Sequence, residues 1–200
     1  MNEKYKNLVQ DLVDDLKAVF THAGLGGEAG EYKLLTQSFL YKFLNDKFLY
    51  LAQVLDAGNT YENLLTMSEE DYDWLLEDIG TSTAWLKPDQ LIETLYRQQN
   101  EPTFYETFEK TLNQIAIDNN DIFSVHTDGD TAIRLFDERL ITDTISDSSK
   151  RNEVAKAIIN LLARVKFDET IFSQGFDFFS TLFEYMIKDY NKDGGGKYAE

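Results

Sequence analysis

The chain has 200 residues, 42% of them hydrophobic and 14% aromatic, which is enough to bury one core and excludes a disordered polymer. A formal net charge of −17 excludes a general phosphate-binding surface, since that needs clustered Lys and Arg. The absence of cysteine excludes disulfides and thiolate metal sites.

Met1-Asn2-Glu3-Lys4-Tyr5-Lys6 lacks the apolar stretch of a signal peptide. No uncharged run approaches the roughly 18 residues that span a bilayer, so a cytoplasmic chain with no membrane partner is expected. From Lys4 to Phe20 the residues Tyr5, Leu8, Val9, Leu12, Val13, Leu16, Val19 and Phe20 form a helical stripe opposite Asp11, Asp14, Asp15 and Lys17. Gly24, Gly26, Gly27 and Gly30 break it. They fail dinucleotide-cofactor spacing, because Ala29 stands where the last glycine belongs, and they read as a helix connection. Tyr32, Leu35, Phe39, Phe43, Phe48, Leu51 and Leu55 predict a longer second helix that ends near Gly58-Asn59.

A shorter helix is expected after Ser68, an N-cap residue with Asp71 three positions on. Pro88 falls at the first turn of a helix running through Leu91, Leu95 and Tyr96. Another helix starts near Pro102 and carries Phe104, Phe108, Leu112 and Ile115 inward. Asp128-Gly129, flanked by Ile122, Val125, Ile133 and Leu135, predicts one short β-hairpin between Asp121 and Phe136. Val154, Ile158, Leu162 and Val165 form a further helical stripe. An aromatic helix follows, with Phe172, Phe176, Phe179, Phe183, Met186, Ile187 and Tyr190 on one face. Gly194-Gly195-Gly196 stops it, since each glycine costs about 1 kcal/mol relative to Ala inside a helix. The expected fold is mainly α, a single helical-bundle-like domain with one hairpin over residues 1–193, and 194–200 form a glycine linker.

Two other patterns carry chemistry. Asp189, Asn191, Asp193, Gly194 and Glu200 at the twelfth place match an EF-hand calcium loop, although Gly196 replaces its apolar eighth residue and no exiting helix follows. Residues 150–166 hold Lys150, Arg151, Lys156, Arg164 and Lys166 against Glu153 alone, a local charge of +4 in an acidic chain. Lys150, Arg151 and Lys156 are the candidate contacts to DNA phosphate or an acidic partner. His22 and His126 have no neighbouring His or Cys with which to bind a transition metal. Glu69, Glu70, Asp71 and Asp73 suit the start of a helix facing water.

The run from Phe176 through the aromatic helix to Gly194-Gly195-Gly196-Lys197-Tyr198-Ala199-Glu200 closely resembles a junction in type I restriction-modification methyltransferase (M) subunits. There an N-terminal helical domain hands over to an adenine-N6 DNA methyltransferase domain. Glu31-Tyr32-Lys33, the stretch from Phe39 to Phe48, Ile117-Asp118-Asn119-Asn120-Asp121-Ile122-Phe123 and Leu135-Phe136-Asp137 extend the resemblance over essentially the whole chain. The resemblance implies a domain truncated before an α/β methyltransferase domain, without a cofactor of its own. The parent enzyme would use S-adenosylmethionine. Lys197 and Tyr198 would lie next to its site. Implied partners are a specificity subunit, a restriction subunit, a second M subunit and, through the full complex, duplex DNA. The family's Asn/Asp-Pro-Pro-aromatic motif, which holds a flipped adenine, has no counterpart here, because Pro88 and Pro102 are isolated. No catalytic residue is therefore expected. A free-standing helical adaptor and an EF-hand-like calcium binder are the alternatives.

Overall fold

The computed structural model describes residues 3–123 and 135–173, and within them the chain is helical, with no strand. The first helix, α1 (Glu3–His22), buries Val9, Leu12, Val13, Leu16 and Phe20 and turns Asp11, Asp14 and Asp15 to solvent, as its period predicts. It ends on Gly24, whose φ of 94° closes the turn: Gly24 N donates to Thr21 O at 3.0 Å and Leu25 N to Phe20 O at 2.9 Å. This pairing is a Schellman motif, and the burial of Leu25 beside Phe20 completes it.

The second helix, α2 (Ala29–Leu55), is the axis of the molecule. Tyr41 to Asp46 are all buried, which no single stripe allows, so the helix is surrounded rather than laid on a surface. It ends at Leu55, where Asp56 Oδ1 accepts from Gly58 N at 2.7 Å, close to the expected stop.

Next come α3 (Tyr61–Thr66), α4 (Glu69–Ile79), α5 (Ile92–Gln98), α6 (Phe104–Asp118), α7 (Asn120–Phe123), α8 (Leu140–Thr144), α9 (Arg151–Arg164) and α10 (Glu169–Phe172). The Ser68 hydroxyl caps α4, accepting from Asp71 N at 3.2 Å. Pro88 opens only a 3₁₀ turn, Pro88–Gln90, and α5 begins separately at Ile92. Its partner is external: Asn45 Oδ1 on α2 accepts from Ile92 N at 2.9 Å. Leu95 is buried but Tyr96 is exposed, so the expected stripe holds only in part.

Helix α6 buries Phe104, Phe108, Leu112 and Ile115 completely. Ile122, expected in a strand, lies in α7, a helical turn seeded when Ile122 N donates to Asn119 O at 3.1 Å. Asp128-Gly129 lies outside the described residues. Helices α1, α5 and α6 pack on α9, and α1, α4, α8 and α10 on α2. One core of Phe, Leu and Ile thus fills the space between α2 and α9. Each such side chain, fully buried, contributes roughly 1.5–3 kcal/mol. Among the described residues no helix is long and apolar enough to cross a membrane.

Candidate functional site

Of the five polar side chains that α2 buries, Glu31, Ser38, Lys42, Asn45 and Asp46, the last three lie together inside its apolar length. Lys42 and Asp46 are one turn apart, which places them side by side, with Nζ 2.8 Å from Oδ2. The same Oδ2 accepts from Phe167 N at 2.8 Å, and Oδ1 accepts from Asn45 Nδ2 at 2.8 Å. The Lys42 ammonium also lies 5.7 Å from the centroid of the Phe167 ring. Burial pushes the Lys42 pKa down, and the neighbouring Asp46 carboxylate only partly offsets it. A buried charge is tolerable only when paired and hydrogen-bonded, and here both conditions are met.

Over this network opens a groove of about 550 Å³ between α2, the start of α5 and the segment from Val165 to Thr170. Glu93, Lys166, Asp168 and Glu169 stand along it. Asp168 accepts from the Tyr5 hydroxyl and caps α10 through Thr170 N at 3.0 Å. Burial, and Glu169 beside it, raise the Tyr50 phenol above its usual pKa. The charges on the floor neutralise one another, so the arrangement clamps the chain leaving α9 against α2. These bonds position the segment from Phe167 to Thr170.

A second polar cluster lies within the Ile117–Phe123 block. Asn119 is fully buried; its Oδ1 accepts from Trp85 N at 2.6 Å, and its Nδ2 donates to Trp85 O and Ile115 O, each at 2.9 Å. One side chain thus pairs an irregular segment with α6, as a strand would. Beside it, Asp118 accepts from Gln90 Nε2 at 2.9 Å and Gln114 Nε2 at 2.7 Å. Burial alone would raise the Asp118 pKa, but these bonds and the Lys87 ammonium outweigh it and hold the carboxyl below its usual value.

The structure does not gather the basic residues of the α9 region into one patch. Arg151 is engaged inside the fold: its Nε donates to Ile145 O at 3.0 Å, its Nη2 to Thr142 O at 3.4 Å, and its guanidinium lies 5.9 Å from the Tyr105 ring centroid. Lys150 lines a cleft of about 300 Å³ with His22, Val19 and Ala157, between α1 and α9. Lys156 is half-exposed six residues further on, and at about 100° per residue it falls on a different face from Lys150. Lys197, Tyr198 and the Asp189–Glu200 calcium pattern lie outside the described residues. Among the described residues no group of three His, Cys, Asp or Glu side chains is arranged to hold a metal ion.

Sequence reasoning missed three features. The Lys42–Asp46 pair was readable as an i,i+4 ion pair within an apolar run. Glu109 is buried on α6, where it accepts from Thr142 N at 2.5 Å and from Thr142 Oγ1 at 2.9 Å, with nothing in the local pattern to mark it. Trp74, 61% exposed on α4, breaks the rule that large aromatics go inside, and helical phase alone would have placed it outward. Comparisons with protein-family models, with curated proteins and with solved structures found no match.

Proposed function

We propose that this chain is the N-terminal helical domain of a type I restriction-modification M subunit, an assembly and DNA-clamping element that is not catalytic alone. The observation that carries the reading is the ordered set of sequence blocks from Glu31 to Glu200 that resemble that family. Their placement fits a positioning role. Phe136 packs edge-on against Tyr41 with ring centroids 6.4 Å apart, Lys33 pairs with Asp137 at 2.7 Å, and Asn119 ties Trp85 to α6. Those of the blocks that lie within the described residues thus supply contacts that hold the bundle together.

In this reading the parent protein is cytoplasmic and transfers a methyl group from S-adenosylmethionine to adenine N6. It works with a specificity subunit, a second M subunit and a restriction subunit on duplex DNA. Lys197 and Tyr198 lie near the start of the methyltransferase domain. Lys150 and Lys156 approach DNA phosphate or an acidic partner surface as the complex closes. Arg151 belongs to the original basic trio but is held against α8.

The test is to read the coding sequence beyond Glu200 and assay the encoded protein, with its specificity subunit, for adenine methylation. Continuation into an Asn/Asp-Pro-Pro-aromatic motif with methyl transfer is the expected result. An immediate stop codon would leave a free-standing helical adaptor. In the active enzyme, Lys150→Glu with Lys156→Glu should weaken DNA binding and flatten its salt dependence; an unchanged salt slope removes those two residues from the DNA contact.

A further inference from the structure

We propose that the outer face of α4 is a docking site for an arginine- or lysine-rich segment of a protein partner. Helix α4 buries Tyr72, Leu75 and Ile79 and leaves Trp74 61% exposed. On a helix the neighbours of a side chain stand three and four residues away. For Trp74 these are Glu70, Asp71, Glu77 and Asp78, all acidic and all exposed.

Helix stability does not account for this arrangement. Acids at Glu69, Glu70 and Asp71 favour the positive N-terminal end of the dipole, but Glu77 and Asp78 occupy the last turn, where carboxylates are disfavoured. Asp73 stands at i,i+4 from both Glu69 and Glu77, so like charges follow one another along the helix. Among the described residues no Lys or Arg pairs with the four carboxylates around Trp74, and none stacks on its ring.

The same molecule shows what such a set of groups does when a cation is supplied internally. The Arg97 guanidinium lies 4.8 Å from the Tyr61 ring centroid and pairs with Glu62 and, at 3.1 Å, with Glu93. An aromatic face with carboxylates beside it holds a guanidinium there. Around Trp74 the ring is the stronger cation acceptor and the carboxylates are more numerous, but the cation is missing. Phosphate-bearing partners, whether DNA or anionic membrane, are repelled by this face. A basic protein segment is matched both in charge and in its need for a flat aromatic platform. The inference depends on α4 alone and stands apart from the proposed function.

The test uses the chain with a hexa-arginine peptide as probe at low salt, followed through the indole N–H resonances of its two tryptophans, Trp74 and Trp85. The Trp74 signal should shift saturably. The Trp85 signal, whose indole donates to Gly80 O at 2.7 Å, should stay in place. Trp74→Ala, and separately the pair Glu77→Gln with Asp78→Asn, should each weaken binding tenfold or more while the circular dichroism stays unchanged. Asp11→Asn with Asp15→Asn removes the same charge from the exposed face of α1 and should change affinity less than twofold. If the α1 pair weakens binding as much as the α4 pair, the peptide is sensing net charge and the site does not exist. A Trp74→Ala variant that binds normally, or an unmoved Trp74 resonance, overturns the proposal equally.

Discussion

Glu109 and Arg151 grip opposite ends of the same helix. The Glu109 carboxylate, on α6, accepts from Thr142 N in the first turn of α8, and the Arg151 guanidinium, on α9, donates to the carbonyls of Thr142 and Ile145 at its end. An anion at the N-terminus and a cation at the C-terminus complement the dipole of a five-residue segment that is far too short to be stable alone. Glu109→Ala strands a half-buried N–H and should cost about 1–2 kcal/mol; Arg151→Met should cost about 1–2 kcal/mol. Because both substitutions fray one helix, the double variant should lose less than the sum of the singles. Urea denaturation measures the cycle, with hydrogen exchange at 140–145 as the local readout. Full additivity would mean the two clamps act independently.

The Lys42–Asp46 pair makes the opposite kind of prediction. Asp46→Ala leaves a buried ammonium without its counter-ion and the Phe167 N–H without an acceptor, and should cost about 3–5 kcal/mol. Lys42→Met with Asp46→Leu removes both charges and should recover a substantial part of that loss. A double variant no more stable than Asp46→Ala would show that the backbone bond to Phe167, rather than the charge pairing, dominates. Denaturation of the two variants in parallel decides between these outcomes.

What was legible beforehand follows from where the determinants lie. The stripes of α1, α6 and α9 announce themselves because each helix faces the core on one side, so a period near 3.6 is written into its own residues. The six residues of α3 and the five of α8 carry no such record; α8 is held by Arg151 from the following helix and by Glu109 from 33 residues away in sequence, and that second relationship no local window contains. Pro88 marks a helix start correctly in kind but early in place, because Asn45 on a distant helix supplies the acceptor that starts α5 at Ile92. The basic trio is not gathered into one patch for a similar reason: net charge along a segment says nothing about which cation the fold engages, and Arg151 is engaged by the carbonyls of Thr142 and Ile145.

Asn119 offers a sharper test of the second cluster. Asn119→Asp keeps the acceptor for Trp85 N but replaces the donor to Trp85 O and Ile115 O with an acceptor, setting a buried carboxylate against two carbonyls. It should therefore be worse than Asn119→Ala, which should itself cost about 1–3 kcal/mol. The stability difference between the variants, together with a red shift in Trp85 emission as its segment loosens, checks the assignment. An aspartate variant as stable as wild type would remove the donor role.

At alkaline pH two tyrosines should set the limit of stability. The Tyr41 hydroxyl donates to Gln90 O at 2.6 Å and the Tyr72 hydroxyl to Leu86 O at 2.5 Å. Burial first, and Asp89 nearby second, raise both phenol pKa values well above the ordinary 10.0. Above pH 10 the unfolded chain releases these protons while the folded chain keeps them. The stability they provide is therefore complete below pH 10 and falls as pH rises, by about 1.4 kcal/mol per unit for each group. Lys42 acts in the opposite sense. Its folded pKa lies below 10.5, so the unfolded chain holds the extra proton in the window just beneath that value, and stability gains there as pH rises. Lys47, lowered by burial, acts with Lys42, whereas Tyr32 and Tyr50, raised by burial, act with Tyr41 and Tyr72, and the phenols leave a net decline above pH 10. Urea midpoints between pH 8 and 11 should show that decline in the wild type and a shallower one in both Tyr41→Phe and Tyr72→Phe, each about 1 kcal/mol less stable at pH 7 for the lost hydrogen bond. An unaltered slope in either variant would show that its phenol ionises as freely in the folded chain as in the unfolded one.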